Sequence, residues 1–448
     1  MQGAKNIIKA DSVYKEYAYY KKDAGLKGSI KNLFHREKLF KNAVRNLSFE
    51  ALEGEIVGLI GLNGAGKTTT LKMLSGLILP TRGEISVLGY RPFDKKKEYL
   101  KQISMIMGNK SQLWWDLPAL DSFELNKTIY EIEEETYRET LNLMVDTLNV
   151  AGQLNTQVRR LSLGERMKME LIAALIHNPK VIFLDEPTTG VDPVSRKEFW
   201  EMLETLRQKG ITIFVSTPYI DEVKRCNRVA FLHEGSLKGV GDPDAILEEF
   251  KDVFNPPALE HDTKNMQEEA EEEVIQVQHL VKAFGDFHAV DDISFNVHRG
   301  EIFGFLGANG AGKTTAMHIL TGLNQPTSGH ATVAGFDVST QYEQVKRHIG
   351  YMSQKFSLYE DLTVVENIRL FGHIYGMTST EINTRLTQLL QRLRFTDHAH
   401  AIVSSLPLGG KQKLAFSVSI FHEPDIVFLD EPTGGVDPAT RRQFWQLI

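Results

Sequence analysis

The feature that most constrains this fold is a glycine-rich sequence that occurs twice. Residues 61–69 read GLNGAGKTT and residues 307–315 read GANGAGKTT, so both fit the phosphate-binding pattern GxxxxGK[ST]. An apolar run of strand length precedes each copy, at residues 55–60 and 301–306, and a helical pattern follows the first. Strand, glycine loop and helix in this order predict a nest of backbone N–H groups that holds phosphates. Because the loop occurs twice, we set aside a chance match.

The two loops supply most of the candidate ligand-binding residues. Lys67 and Lys313 are expected to reach the β- and γ-phosphates of a nucleotide, and the hydroxyls of Thr68 and Thr314 to bind Mg²⁺. The loop residues that we predict to bind nucleotide are Gly61, Asn63, Gly64, Gly66, Lys67, Thr68, Thr69, Gly307, Asn309, Gly310, Gly312, Lys313, Thr314 and Thr315.

The duplication extends beyond the loops and indicates two domains in 448 residues. Phe49 and Gly83, for example, reappear 246 positions later as Phe295 and Gly329. Between the copies, eight acids stand against two lysines from position 251 to 273, which is typical of a solvated linker. We therefore predict a first domain at residues 1–248, an acidic linker at 249–273 and a second domain at 274–448.

Composition narrows the functional classes. The chain is 42% apolar and 24% charged, which is ordinary for a globular protein, and it has no apolar run of about 18 residues that would span a membrane. Its single cysteine, Cys226, allows no intrachain disulfide and fits a reducing cytoplasm. No basic excess is present, so we expect no nucleic-acid partner.

A second repeated pattern supplies carboxylates. Residues 181–186 (VIFLDE) and 426–431 (IVFLDE) each predict a buried parallel strand with two acids at its carboxyl end, where ligands bind in open α/β sheets. Asp185 and Asp430 suit Mg²⁺ held through water. Glu186 and Glu431 suit a base that activates the attacking water, and are our candidate catalytic residues.

One insertion breaks the repeat. The first copy has 21 extra residues between Tyr17 and Ala43, with seven lysines and arginines and with Ile30, Leu33 and Phe34 at helical spacing. Such a basic amphipathic segment could contact lipid headgroups or a membrane partner, and a solvated surface helix explains it equally well. Both interpretations stay open.

Residues 161–165 (LSLGE) lie between the first loop and its acids. Loop, LSLGE and FLDEP in this order and spacing resemble the ATP-binding cassette (ABC) ATPases over almost the whole chain. The resemblance implies an α/β fold of two tandem P-loop NTPase domains, each with an antiparallel β-subdomain and a helical subdomain. It also implies intrachain pairing of the two ATPase domains, which would clamp two ATP molecules, each with Mg²⁺, head to tail.

The resemblance implies further site residues. Tyr17 and Phe284 would stack on adenine, while Ser162 and Gly164 of the signature would complete the ATP site of the other cassette. Gln354 matches the Q-loop glutamine, which senses Mg²⁺ and contacts the membrane partner.

The sequence motif EPTxGVDP most resembles that of drug-resistance-type (ABC-2 type) exporters. This resemblance implies a peripheral ATPase at the cytoplasmic face of the membrane, bound to separate integral-membrane permease subunits through residues near 109–120 and 354–362. A soluble tandem-cassette translation factor acting on the ribosome is the alternative, although such factors usually have a basic linker. A regulatory subunit that binds ATP without turnover is a third.

Several positions depart from the family pattern. Pro218 stands where the H-loop histidine is expected, Pro407 replaces the second signature serine, and Gly108 and Asn109 occupy the first Q-loop position, with Gln112 the nearest glutamine. These three departures fall in one ATP site, so we expect the other, with Glu431, to carry hydrolysis. The second H-loop would fall at position 463, beyond Ile448, and we expect a C-terminally incomplete second domain whose sheet has a gap.

Overall fold

The computed structural model describes residues 5–20, 38–108, 110–254, 272–307, 310–353, 358–393, 395–446 and 448. The chain divides into two compact units, one formed by Met1–Pro257 with Gly435–Trp445 and the other by Ala258–Gly434 with Gln446–Ile448. Most of the basic insertion and of the acidic linker predicted from the sequence lies outside the described residues. Within the described ranges, no helix is both long and apolar enough to cross a lipid bilayer.

The first unit alternates strands and helices. Its strands are β1 (Asn6–Tyr20), β2 (Lys38–Leu52), β3 (Ile56–Ile60), β4 (Arg82–Val87), β5 (Ile103–Met107), β6 (Val181–Asp185), β7 (Thr212–Ser216), β8 (Arg228–His233) and β9 (Ser236–Gly241). Its helices are α1 (Lys67–Leu74), α2 (Lys97–Leu100), α3 (Ala119–Tyr130), α4 (Glu134–Leu148), α5 (Leu163–Leu175), α6 (Pro193–Gln208), α7 (Ile220–Val223), α8 (Pro243–Glu249) and α9 (Lys251–Phe254), and α15 (Pro438–Trp445) also belongs to this unit.

The nine strands form one sheet in the order β4-β1-β2-β9-β8-β3-β7-β6-β5. Strands β1, β2 and β4 are antiparallel, whereas β8, β3, β7, β6 and β5 run parallel. Strand β7 lies between β3 and β6. The carboxyl ends of β3, β6 and β7 therefore meet at one edge of the sheet, where ligands bind in such folds.

Strand β3 is apolar throughout because both of its faces are covered. Val57 and Leu59 pack into one core with α1, and Ile56 and Ile60 pack into the other with the helices on the opposite face. A strand buried on two faces reads as a continuous apolar run rather than an alternating one. Helices α3, α4 and α5 pack together beyond the sheet as the helical subdomain.

The second unit repeats part of this plan. Its strands are β10 (Glu273–Phe284), β11 (Phe287–His298), β12 (Ser328–Val333), β13 (Phe336–Asp337), β14 (Ile349–Met352) and β15 (Ile426–Leu429), and its helices are α10 (Lys313–Leu320), α11 (Tyr342–His348), α12 (Val364–Ile374), α13 (Ser379–Arg392) and α14 (Leu408–Ser419). Strands β11, β10, β12 and β13 form an antiparallel sheet, and β14 pairs in parallel with β15. Both units thus have the predicted α/β fold with antiparallel and helical parts.

One sequence prediction is wrong. Residues 301–306 were expected to form the strand before the second loop, but the structure assigns them no strand. In the first unit β3 pairs with β7 on one side and β8 on the other. Among the described residues of the second unit, no strand lies beside residues 302–306, so the backbone there has no ladder to join.

Candidate functional site

The first phosphate loop is shaped by glycines in left-handed conformations. Gly61 has φ of 148° and Gly66, which caps α1, has φ of 103°. A Cβ atom on Gly61 would lie 2.1 Å from the carbonyl oxygen of Leu232, and one on Gly66 would lie 2.5 Å from that of Ala43. Only glycine fits either position, because conformation and space both exclude a side chain.

The loop holds its lysine close. The Lys67 Nζ donates to the carbonyl oxygen of Gly61 at 2.9 Å and lies 3.7 Å from the Glu186 Oε1. Burial lowers the pKa of the Lys67 ammonium, and the Glu186 carboxylate opposes that shift. In the same unit, the backbone N–H of Asn63 donates to the Asp437 Oδ2 at 3.3 Å. A cation thus lies directly under the loop that the sequence assigns to phosphate.

The predicted metal residues are in contact. The Thr68 hydroxyl donates to the Asp185 Oδ1 at 2.9 Å, and the Ser216 hydroxyl at the end of β7 donates to the same oxygen at 2.8 Å. One hydroxyl beside one carboxylate at a phosphate loop is the protein donor set that Mg²⁺ uses together with substrate phosphates and water. The residues present therefore fit the ion.

The candidate base follows directly in the chain. Glu186 has φ of 49°, a left-handed conformation that is uncommon for a residue other than glycine. Its backbone N–H donates to the Ser216 Oγ at 2.9 Å, which fixes the turn after β6. Burial raises the pKa of the Glu186 carboxyl, while Lys67 acts to lower it. Backbone strain at a candidate catalytic residue supports a functional role.

The second copy reproduces the local geometry. Gly312 caps α10 with φ of 84°, the Lys313 Nζ donates to the Gly307 carbonyl oxygen at 2.8 Å, and the Thr314 hydroxyl donates to the Asp430 Oδ2 at 3.0 Å. Glu431 repeats the left-handed backbone of the first copy, with φ of 47°. Asn309 lies outside the described residues.

The two signature sequences differ as their residues predict. Ser162 caps α5 in a capping box with Glu165, whose backbone N–H donates to the Ser162 Oγ at 3.3 Å. A Cβ atom on Gly164 would lie 2.6 Å from the Ser195 Oγ, so a larger residue there would force the Ser195 side chain to move. Pro407 occupies the equivalent cap of α14 and makes no side-chain cap hydrogen bond.

Pro218 stands at the position of the expected histidine, and a cluster of buried polar side chains lies next to it in the chain. Pro218 is buried after β7, and beside it Glu222 is 1% exposed. The Glu222 Oε1 accepts from the Thr188 hydroxyl at 2.7 Å, and the other carboxylate oxygen accepts from the Thr217 hydroxyl. Burial raises the pKa of the Glu222 carboxyl. This carboxyl links the end of β7 to the turn that follows Glu186.

The remaining predicted site residues make no described contact with the phosphate loops. Tyr17 and Phe284 are 42% and 56% exposed, each with a lysine Nζ 5.2 Å from its ring centroid. Gln354 and Asn109 lie outside the described residues. Gln112 does not point at the nucleotide loop, because its side-chain amide donates to the carbonyl oxygen of Met105 at 2.9 Å.

Sequence reasoning missed three polar residues that hold the site together: Ser216, Glu222 and Glu170. Glu170 on α5 accepts hydrogen bonds from the backbone N–H of Gln112 at 3.0 Å and from the Ser111 hydroxyl. The signal for Ser216 was available, since it ends an apolar strand beside the acidic strand. Nothing in the sequence near Glu170 or Glu222 marks either as buried.

A glycine loop, a loop lysine and strand-end carboxylates define a P-loop nucleotide-binding site in each copy, and the lysine is buried in the first copy. A family model described as "ABC transporter" matches residues 44–189 and 290–434. The "Probable multidrug ABC transporter ATP-binding protein YbhF" of Escherichia coli (strain K12) is 34% identical over 482 residues, spanning 90% of this chain and 83% of its own. The chain belongs to the ABC transporter family, and its two cassettes are ATP-binding ATPase domains.

Another relative is named for import. The "D-allose import ATP-binding protein AlsA" of the same Escherichia coli strain is 26% identical over 442 residues, spanning 91% of this chain and 85% of its own. A solved structure described as "Structure of ATP binding subunit of ABC transporter" has 28% identity, a TM-score of 0.46, and coverage of 55% of this chain and 93% of its own.

Proposed function

We infer that the chain hydrolyses ATP to power export of small molecules through separately encoded permease subunits of the ABC-2 type. The observation that carries this proposal is the 34% identity to a probable multidrug transporter subunit over 90% of the chain. Relatives with import in their names have lower identity over a similar length. In this proposal the protein is peripheral, at the cytoplasmic face of the membrane.

The contacts support specific roles in ATP binding. In the first copy Thr68 and Asp185 would hold Mg²⁺, which neutralises phosphate charge, while Lys67 would bind the β- and γ-phosphates. Thr314, Asp430 and Lys313 would act in the same way in the second. We also assign Gln354 to the second metal site from its sequence alone. The rings of Tyr17 and Phe284 are exposed to solvent, and in this proposal each stacks on an adenine ring.

We assign Glu186 and Glu431 as the general bases that accept a proton from the attacking water. Most of the turnover is assigned to the site of Glu431, because the departures at Asn109, Pro218 and Pro407 fall in the other site. A base must be deprotonated to act, and Lys67 at 3.7 Å keeps the buried Glu186 carboxylate available despite its raised pKa. The turn after each strand fixes the carboxylate at its left-handed backbone position. Ser162 and Gly164, at the start of α5, would contact the γ-phosphate of a second nucleotide through backbone and hydroxyl donors.

The roles can be tested by separating binding from turnover. The double variant Glu186→Gln and Glu431→Gln should still bind ATP, because the loops are unchanged, while turnover falls about 10²–10⁴-fold, the effect of removing a general base. Retained turnover would reject both carboxylates as bases.

Transport needs a separate experiment. The chain would be expressed alone and together with a candidate integral-membrane permease of the ABC-2 type, and membranes would be washed at high salt. We expect membrane retention only with the permease, and ATP-dependent efflux of a fluorescent substrate from those cells. Retention without the permease would indicate a direct lipid anchor, and co-sedimentation with ribosomes would favour the translation-factor alternative.

A further inference from the structure

Each cassette contains the same pair of stacked rings. The rings of Tyr130 and His177 have centroids 3.8 Å apart and planes 6° apart, and we call them the first pair. The rings of Tyr375 and His422, the second pair, have centroids 3.8 Å apart and planes 13° apart. Both members are shifted by 245 positions between the cassettes. The same contact thus occurs at the same place in both.

Each pair lies where helices end. Tyr130 is the last residue of α3 and Tyr375 follows the last residue of α12, and both helices belong to a helical subdomain. His177 follows the end of α5 and His422 follows the end of α14, the two helices that begin at the signatures. The stack therefore connects the far end of each signature helix to another helix of the same subdomain.

A hydrogen bond connects each histidine to the core sheet as well. The His177 Nε2 lies 3.0 Å from the carbonyl oxygen of Ile103, the first residue of β5. The His422 Nε2 lies 3.1 Å from the carbonyl oxygen of Ile349, the first residue of β14. Because a carbonyl oxygen only accepts, Nε2 carries the hydrogen in both rings and donates it. Each imidazole thus joins the signature helix, the helical subdomain and a core strand.

The second ring nitrogen shows why the residue is a histidine. Among the residues that the structure describes, the Nδ1 atoms of His177 and His422 are buried and have no hydrogen-bond partner. Burial lowers the pKa of both imidazoles, so each ring is neutral at pH 7. A buried polar atom without a partner is unfavourable, and an apolar ring would avoid it but could not donate to the strand. The hydrogen bond from Nε2 is therefore what the histidine adds to the stack.

The angle of a signature helix matters because the helix is long. Helix α5 has 13 residues and is about 20 Å long, with Ser162 capping its start and His177 just beyond its end. Over this length a tilt of about 3° moves the cap by about 1 Å. A misplacement of about 1 Å can lower the rate of a reaction about 10²-fold. A directional contact at His177 thus acts on the position of Ser162.

We propose that His177 and His422 are positioning residues that fix the angle of their signature helices to the core strands. The assignment rests on the proposed function, in which each signature completes the ATP site of the other cassette and most of the turnover occurs at the site of Glu431. The first pair then acts on hydrolysis at Glu431, in the cassette to which it does not belong. The second pair acts on the site of Glu186.

The test removes the stack and keeps an apolar side chain in its place. In Tyr130→Leu the full chain loses the ring that contacts His177. An aromatic pair contributes a factor of about two to twelve to an equilibrium, so kcat for ATP should fall by that factor. The dissociation constant for ATP should stay the same, because the phosphate loops are unchanged. Tyr130→Phe keeps the stack and should keep the parental kcat, as steady-state turnover and isothermal titration would measure.

A matched control makes the same change in the second pair. Tyr375→Leu loosens the signature that contains Pro407 and that serves the site of Glu186, so kcat should fall less than in Tyr130→Leu. His177→Leu removes both the stack and the donor to Ile103, and it should lower kcat more than Tyr130→Leu does. These comparisons separate positioning from a general loss of stability, which would follow the size of the truncation and not the cassette.

A structural measurement does not depend on turnover. Amides of Leu163–Leu175 should exchange faster in Tyr130→Leu than in Tyr130→Phe, because the end of α5 is less firmly held. Mass spectrometry of the full chain under native conditions measures this difference.

The positioning role would be rejected by equal kcat in Tyr130→Leu and Tyr130→Phe, by a parallel loss of ATP affinity and kcat, or by unchanged exchange in α5. A larger loss of kcat from Tyr375→Leu, together with faster exchange in α14, would support positioning and reject only the assignment of turnover to the site of Glu431. A parent chain without ATP turnover would reject the proposed function, and exchange in α5 would still decide the positioning role.

Discussion

The two copies of the phosphate-loop strand have nearly the same sequence and different structures. In the first copy, Ile56 and Ile60 are each 1% exposed within a central parallel strand. In the second, Ile302 is 74% exposed and Leu306 is 95% exposed, in backbone that forms no strand. The difference shows that an apolar run forms a central strand only where neighbouring strands supply both hydrogen-bond ladders.

The loops themselves differ much less than the strands that lead to them. Lys67 and Lys313 both donate to the first glycine of their own loop, and Thr68 and Thr314 both donate to the strand-end aspartate. Gly61 is pressed against the end of β8, whereas among the described residues a Cβ atom on Gly307 would meet only Ala311, at 3.2 Å. Local sequence is thus enough to shape the loop, and the surrounding sheet determines how firmly it is held.

The largest expected effect is in amide hydrogen exchange. Amides of Ile56–Ile60 should exchange only through unfolding of the first unit, whereas amides of residues 302–306 should exchange at nearly the intrinsic rate. A domain stability of about 5 kcal/mol or more corresponds to a difference of at least about 10³-fold. Peptide-resolved exchange with mass spectrometry measures it, and equal protection of the two segments would show that the comparison is wrong.

Core truncation should separate the two copies next. Ile60→Ala removes a buried side chain and should reduce the free energy of unfolding of the first unit by about 2–5 kcal/mol. Leu306→Ala removes an exposed side chain, and its effect should stay within about 0.5 kcal/mol. Urea denaturation followed by circular dichroism measures both changes. A similar loss from the two substitutions would mean that Leu306 is buried in solution.

Lysine substitution in the loops should have a smaller effect. Because hydrogen bonds to charged groups contribute about 1.5–3 kcal/mol, Lys67→Ala should weaken ATP binding to the first copy about tenfold to 150-fold. Lys313→Ala should weaken ATP binding to the second copy less, because fewer atoms of the described neighbouring residues hold the second loop in place. Isothermal titration of ATP into each variant tests this, with Lys95→Ala as the control. A larger loss of affinity from Lys313→Ala than from Lys67→Ala would show that the surrounding sheet does not strengthen ATP binding to the first loop.

The smallest effect expected concerns pH and the buried carboxyl beside β7. Because burial raises the pKa of Glu222 in the folded protein, its protonated form contributes stability at low pH. That contribution is lost as pH rises from the ordinary glutamate pKa of about 4.3 through the raised value. The stability advantage of the protein over its Glu222→Gln variant should therefore shrink with rising pH. Denaturant titrations across that pH range measure the difference in stability between the protein and the variant. A difference that stays constant would show that Glu222 does not titrate in this range.

The sequence predicts the parts of this fold that are determined locally. The first glycine loop between its strand and its helix, and the two strands followed by paired acids, are found at the predicted positions. The strand at residues 301–306 was predicted wrongly because its pairing depends on residues far away in sequence. The contacts of Ser216 and Glu222 were missed for the same reason, since each polar group is satisfied by a partner from another element.

The correspondence of Trp115 with Glu360 likewise needed the structure. Alignment of the loops alone gives an offset of 246, which pairs Trp115 with Asp361. The backbone N–H of Arg159 donates to the Trp115 carbonyl oxygen and that of Ser404 to the Glu360 carbonyl oxygen, so the offset there is 245. The roles of Tyr17, Phe284, Gln354 and the signature residues remain predictions from family resemblance.

The left-handed backbone at Glu186 and Glu431 has a consequence for how this protein can change. Such a conformation costs a residue with a side chain about 1–2 kcal/mol, a penalty that glycine avoids. Replacing the glutamate by glycine would remove this cost, but the greater conformational freedom of glycine in the unfolded chain would take back about 0.5–1 kcal/mol. Selection for thermal stability alone would thus favour replacing both glutamates, and with them both proposed bases. At these two positions the residue that favours thermal stability differs from the residue that favours hydrolysis. We therefore expect selection to keep the carboxylates only where hydrolysis is required.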